Sequence, residues 1–381
     1  MNIKSLLLGS AAALAAVSGA QAADAIVAAE PEPMEYVRVC DAFGTGYFYI
    51  PGTETCLKIG GYVRVQVDGR SDFDLNSQDG GYRTNTRGQI AVEAKSDTEF
   101  GTLSSKVTLR ANTNVSNSYS VTIPNDPTDP TAGSETYSVS QANNDFYLEE
   151  TYLQLGGLRV GYFYNYFDNG LPGETVLSDG GPWGNGGRGG DTLNNSIRYT
   201  YDAGSFSVYG QVDAFNSQAG WKTDAAGTDD EIGINGVITG KFGGVTLDFF
   251  AGYDFDSEEA ALASTLTAAI GPGSLGVFAA YSTGRNRYFD AAEWTIGAEY
   301  AIKVTDKFSI APGVQYWDNV AFKSATSNDF DGGDAWRVGV TADYKITTNL
   351  AAKATVNYTD VDNGVESDDR WDGFLRLQRS F

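Results

Sequence analysis

The chain has 381 residues, a formal net charge of −23 at pH 7 and no histidine. The charge argues against a nucleic-acid partner. The missing histidine excludes a Ser-His-Asp site, a Cys-His nucleophile and a His-based zinc centre. An Asp-only or Ser-Lys site remains open, and no cofactor is expected.

Residues 1–22 read as a signal peptide. Lys4 supplies the positive start, Leu6 to Val17 the apolar stretch, and Ala20-Gln21-Ala22 the small-residue cleavage site. The stretch falls short of the roughly 20 apolar residues that a membrane helix needs. The mature chain is expected to begin at Ala23, and it contains no run of 18 apolar residues, which excludes a helical membrane protein.

Residues 23–57 form a separate leader with an extended Glu30-Pro31-Glu32-Pro33 stretch. The chain has two cysteines, Cys40 and Cys56. Export permits a disulfide between them. Closing a loop of this length contributes about 3 kcal/mol in the chain-entropy model. The alternative is two free thiols. This segment is expected at the periplasmic mouth.

From residue 58 to residue 381 the pattern has period two. Trp336, Val338, Val340, Ala342, Tyr344 and Ile346 alternate with Arg337, Gly339, Thr341, Asp343 and Lys345. Val245, Leu247, Phe249, Ala251, Tyr253 and Phe255 alternate with a polar set in which Phe250 is the only large apolar member. Ala292, Trp294, Ile296, Ala298, Tyr300 and Ile302 form a third apolar set. Each run has the length of a tilted membrane strand, and aromatic residues sit at the ends of the apolar sets, as interfacial girdles require.

Strands are expected to start near residues 58, 82, 102, 146, 157, 195, 205, 231, 244, 262, 274, 291, 307, 335, 349 and 369. That gives about 16, an even number as bacterial outer-membrane barrels require. Alternation is blurred near 146 by Glu149 and Glu150, and near 262 by Ala and Thr. Tight turns such as Gly156-Gly157, Ala203-Gly204 and Gly243-Gly244 alternate with long polar loops at 114–145, 166–193, 216–230, 318–334 and 359–368. The fold class is all-β: a transmembrane antiparallel barrel with short periplasmic turns and long extracellular loops.

Cations on the strands are expected to face the lumen, because a cation facing lipid at the midplane costs about 2–4 kcal/mol. These are Arg64, Arg83, Arg87, Lys106, Arg110, Arg198 and Arg376. The third long loop carries Asp168, Glu174, Asp179 and Asp191 among many glycines. It is expected to bend inward and set these acids across from the cations, making a transverse field. The opposing reading is an ordinary surface loop with solvated acids. Phe163, Phe250 and Phe278 stand out as inward aromatics. Gly184-Asn185-Gly186 lacks the strand–helix setting of a phosphate loop. Acidic runs at 229–231, 329–334 and 360–369 read either as solvated loop surface or as bridges to lipopolysaccharide. The tip at Asn125 to Pro130 is a candidate latch onto a neighbouring subunit. The last strand ends on Phe381, a terminus of the kind that barrel-assembly machinery is read as recognising.

Two stretches carry a family likeness: Tyr36-Val37-Arg38-Val39-Cys40-Asp41-Ala42-Phe43-Gly44, and Gly46-Tyr47-Phe48-Tyr49-Ile50-Pro51-Gly52. Thr55-Cys56-Leu57-Lys58-Ile59-Gly60-Gly61-Tyr62-Val63-Arg64 and the last strand extend it. With these the chain resembles the general porins of alphaproteobacteria of the Rhizobium and Brucella type. The resemblance implies a homotrimer of 16-stranded barrels in the bacterial outer membrane, in contact with lipid and lipopolysaccharide. It also implies a pore in each barrel narrowed by the third loop. The expected function is passive diffusion of small hydrophilic solutes and ions. The alternative is a sugar- or amino-acid-selective channel on the same barrel, with the inward aromatics as its track.

Overall fold

A computed structural model describes residues 38–70, 81–124, 134–173, 192–215, 232–324, 327–362 and 367–381. The alternating β-branched and aromatic residues form sixteen long strands, and among the described residues helix is confined to two three-residue turns. In chain order the strands are Cys56–Arg70 (β1), Gly81–Thr98 (β2), Gly101–Pro124 (β3), Ser134–Leu155 (β4), Leu158–Tyr164 (β5) and Leu193–Asp202 (β6). Next come Phe206–Ala214 (β7), Ile232–Phe242 (β8), Val245–Asp254 (β9), Glu259–Ile270 (β10) and Gly273–Ser282 (β11). Trp294–Lys303 (β12), Phe308–Asp318 (β13), Asp334–Thr347 (β14), Leu350–Asp362 (β15) and Ser367–Ser380 (β16) complete the set.

Each strand pairs antiparallel with the next, and β16 pairs with β1 from Asp372↔Arg70 to Ser380↔Tyr62. The sheet is therefore a closed barrel without an edge, which satisfies the backbone groups that a membrane would otherwise strand. Phe381 extends the seam: its N–H donates to Gly61 O at 3.0 Å, and Gly61 N–H donates to Phe381 O at 3.1 Å.

The pleat sends alternate residues outward. Val63, Val65, Val67, Ile197, Ile296, Val338 and Leu375 are exposed on the outer face. Trp294 and Tyr316, Trp336 and Tyr358, and Tyr358 and Trp371 pack ring to ring at the long-loop end of β12 to β16. Tyr199, Tyr201, Phe206, Phe242 and Tyr344 lie exposed near the short-turn end. Two aromatic bands flanking an apolar belt are what the two bilayer interfaces select.

Observed strand starts lie within three residues of the expected ones, except for β4. That strand begins at Ser134, and β3 runs on to Pro124, so most of the stretch expected as a loop at 114–145 is paired strand. The stretch is rich in Ser, Asn and Thr, and that polar composition outweighs the period-two set Val115, Tyr119, Val121 and Ile123. The acidic stretch at 359–368 is likewise largely strand, with β15 reaching Asp362 and β16 starting at Ser367. Ala292 is not part of β12: it is fully buried in the preceding loop.

Cys40 and Cys56 are bonded, with their Cα atoms 6.0 Å apart, and both are buried. The closed loop lies at the short-turn end, where Phe48–Tyr49 pairs with the start of β1. Tyr47 OH donates to Glu93 Oε2 at 2.5 Å, while the Lys58 and Lys95 ammonium groups lie 5.4 and 5.1 Å from its ring centre. Burial and the bond to Glu93 push the Tyr47 phenol above its ordinary pKa, so it remains the donor.

Candidate functional site

The lumen is lined by the polar half of each alternating set, and its most regular feature is a ladder of arginines. Arg64 Nε donates to Gln378 Oε1 at 2.9 Å, and Arg376 Nε donates to Gln66 Oε1 at 2.6 Å. Arg87 Nε donates to Asn112 Oδ1 at 2.7 Å, and Arg110 Nε donates to Gln89 Oε1 at 3.0 Å. Arg198 Nε donates to Gln211 Oε1 at 2.5 Å, and Arg159 Nε donates to Gln154 Oε1 at 2.9 Å. In all six cases the amide is the directly opposed residue of the neighbouring strand. An amide oxygen orients a guanidinium without cancelling its charge.

Of the expected inward cations, Arg64, Arg87, Arg110, Arg198 and Arg376 lie in these cross-strand pairs, and Lys106 pairs with Glu150 of β4. Arg83 is placed on β2 opposite Asp68 by register. Arg159 belongs to the same ladder and was not expected, although Leu158 and Val160 on either side of it show the signal that identified the others. A second omission is the Glu149–Glu150 pair. Thr108 of β3 stands opposite both, because the ladder slips between Val107 and Leu109. The slip breaks the alternation and turns both carboxylates inward. Glu149 bonds Arg110 and accepts from Tyr164 OH, while Glu150 accepts from Lys106 Nζ at 2.5 Å. The same slip blurs the sequence pattern near residue 146.

The loop after β5 enters the lumen. Its first turn, Tyr166–Asp168, is capped by Asn165, whose side chain accepts from Phe167 N at 2.9 Å. Tyr166 OH shares a hydrogen bond with Thr265 Oγ1 of β10 at 2.7 Å. The Tyr166 ring stacks on Phe250 of β9 with centres 5.2 Å apart, and Phe167 meets Phe250 edge-on at 4.8 Å. Leu171 and Pro172 then cover Gly276 of β11, where a Cβ would stand 2.7 Å from Pro172 Cδ. Gly173 packs against Glu299 of β12 and Ala311 of β13. The segment thus leaves β5, crosses the lumen and runs along the wall from β9 to β13. In a closed ring of sixteen strands, β9–β11 stand opposite β1–β3.

Asp168 is half-buried at the end of the turn. Glu174, Asp179 and Asp191 lie outside the described residues. Phe250 and Phe278 are buried, Phe250 beneath the incoming loop, so neither offers a track to a passing solute. Phe163 packs on Tyr152, with Arg159 and Arg198 over its ring.

The two halves of the lumen differ. Inward residues of β7 to β11, among them Gln211, Asp213, Phe250, Asp254 and Ala261, are buried. Arg64, Gln66, Arg87, Gln89 and Gln378 are only half-buried. The accessible passage therefore lies against β16, β1 and β2. A closed barrel with an apolar outside, a polar inside and a passage narrowed by an inserted loop defines a membrane channel.

Comparison with known proteins agrees. Residues 24–373 match the family model of the porin subfamily. Outer membrane protein IIIA of Rhizobium leguminosarum bv. viciae is 41% identical, over 96% of this chain and 92% of its own length. Porin Omp2b of Brucella neotomae is 35% identical over the whole of both chains. Among solved structures, the outer membrane channel DcaP of Acinetobacter baumannii superposes with a TM-score of 0.59 at 12% identity, covering 87% of this chain and 99% of its own. OmpT of Vibrio cholerae gives 0.57 at 13% identity, with coverage of 87% and 99%. This chain belongs to the porin subfamily. It is a general diffusion channel of the bacterial outer membrane.

Proposed function

We propose that selection among small hydrophilic solutes is set by a transverse field between the arginine ladder and the loop that follows β5. The observation that carries this reading is the set of cross-strand amide bonds, which hold Arg64, Arg87 and Arg376 in place on the wall opposite the loop's path. Asp168, Glu174, Asp179 and Asp191 form the negative side, and Arg64, Arg83, Arg87, Lys106, Arg110, Arg198 and Arg376 the positive side. A dipolar solute aligns in such a field, whereas an apolar solute gives up water for no return. The pore performs no covalent chemistry.

The working unit is a homotrimer. An OmpT structure described as a trimer form superposes with a TM-score of 0.55 at 11% identity, which bears on the fold of the subunit. The aromatic bands and apolar belt suit outer-membrane lipid and lipopolysaccharide as surroundings. Residues 1–22 are removed on export, and the strand ending in Phe381 is what the barrel-assembly machinery engages.

The test is the reversal potential of purified protein in a planar bilayer under a salt gradient. Replacing Asp168, Glu174, Asp179 and Asp191 together with their amides should move it toward anion preference. An unmoved potential would leave these acids as solvated loop surface.

A further inference from the structure

The loop between β11 and β12, residues 283–293, also lies inside the barrel. Asn286, Arg287, Tyr288, Phe289, Ala291 and Ala292 are all 3% exposed or less. The loop is preformed: Asn286 Oδ1 accepts from Tyr288 N and Phe289 N at 3.0 Å, and its Nδ2 donates to Ser282 Oγ at 2.6 Å. It is also held to the wall by two acids. Arg287 N donates to Asp254 Oδ2 at 3.0 Å, and the Arg287 guanidinium pairs with Asp256 at 3.1 Å.

A third acid, Asp213 of β7, is fully buried. Its Oδ1 accepts from Ser196 Oγ and Gln211 Nε2, each at 2.5 Å. Its Oδ2 accepts from Asn235 Nδ2 at 2.6 Å and from Tyr288 OH at 2.8 Å. Three of these donors belong to the wall, on β6, β7 and β8, and the fourth is the loop. A buried carboxylate without such bonds is costly, so the site is built around its acceptor oxygens. Gly233 makes room for the reach, since a Cβ there would stand 2.3 Å from the Tyr288 hydroxyl. The Tyr288 ring packs on Phe215 and Phe250, and Phe289 stacks on Phe167 of the loop after β5. Burial and the Asp213 charge push the Tyr288 phenol well above its usual range, so it stays a donor.

We propose that residues 283–293 are a second lumen loop and that Tyr288 and Asp213 are positioning residues which set the size limit of the pore. Phe250 is shared by Tyr288 and Phe167, so the second loop is the backing against which the first loop rests. This rests on the reading of the first loop as the constriction. Releasing the latch opens the filled half of the lumen to water.

The test uses Tyr288→Phe, which removes only the hydroxyl, and Gly233→Ala, which displaces it. Single-channel conductance should rise by about twofold as cross-section is gained, and liposome-swelling rates should rise most for the largest sugars. Trypsin added to intact barrels should cut after Arg287 in both variants and not in the parent. Unchanged conductance and unchanged protection in both variants would overturn the proposal, as would cleavage of the parent at Arg287. If the acid replacements move the reversal potential while Tyr288→Phe and Gly233→Ala alter neither conductance nor protection, only the latch is lost.

Discussion

Arg64 and Arg87 stand directly opposite each other on β1 and β2, two cations where a sheet ordinarily sets opposite charges. Each turns to a neutral amide on its other side, Arg64 to Gln378 and Arg87 to Asn112. A like-charged pair weakens a sheet, so its presence at the lumen wall points to a use for the field. Replacing both with glutamine should raise the cation-to-anion permeability ratio by about threefold, as expected when one side of a narrow charged passage is neutralised. The reversal potential in a salt gradient reads this directly. No change would remove the ladder from the selectivity mechanism.

Asp168 alone should have the opposite effect, and a smaller one. It is half-buried at the point where the loop after β5 leaves the Tyr164–Glu149–Arg110 cluster. Asp168→Asn should shift selectivity toward anions and leave single-channel conductance close to the parent value. A large drop in conductance would instead indicate that the loop had moved.

Alternation on β1 makes a sharp contrast between neighbours. Val65 is exposed on the outer face, whereas Gln66 meets Arg376 inside. Val65→Arg should destabilise the barrel in lipid by about 2–4 kcal/mol, the cost of a cation near the midplane. Gln66→Lys should cost much less. Urea unfolding in lipid vesicles compares the two, and equal losses would contradict the assignment of faces.

The disulfide joins residues 16 apart in sequence at the start of the barrel. Cys40→Ser with Cys56→Ser should lower stability by about 3 kcal/mol, the loop-closure entropy returned to the unfolded chain. Conductance should be unaffected, since the ladder and the inserted loops lie elsewhere on the chain. Thermal unfolding with and without reductant makes the measurement. A parent protein insensitive to reductant would show that the bridge adds little.

Legibility in the sequence followed the lipid. Where one face of a strand must be apolar, as in Trp336 to Ile346 or Val245 to Tyr253, strand limits and inward cations were readable. The upper halves of β3 and β4 pair as strand, yet their abundance of Ser, Asn and Thr gives the sequence there the composition of a polar loop. The Glu149–Glu150 slip reverses the alternation within one strand, which no fixed period can follow. Tyr166, Phe167, Tyr288 and Phe289 are aromatics in loops, and only the fold shows that these loops turn into the barrel and cover Phe250. Ala292 continued the apolar set of β12 in sequence, yet its burial comes from the loop that carries Tyr288.

The seam between β16 and β1 has a consequence for biogenesis. The final residue exchanges two backbone bonds with Gly61, near the beginning of the first strand. Ring closure therefore needs both ends of the chain at once, and any partly delivered polypeptide presents two raw sheet margins. Such margins seek partners indiscriminately. Until β16 meets β1 every assembly intermediate carries that hazard, and closure of the ring removes it.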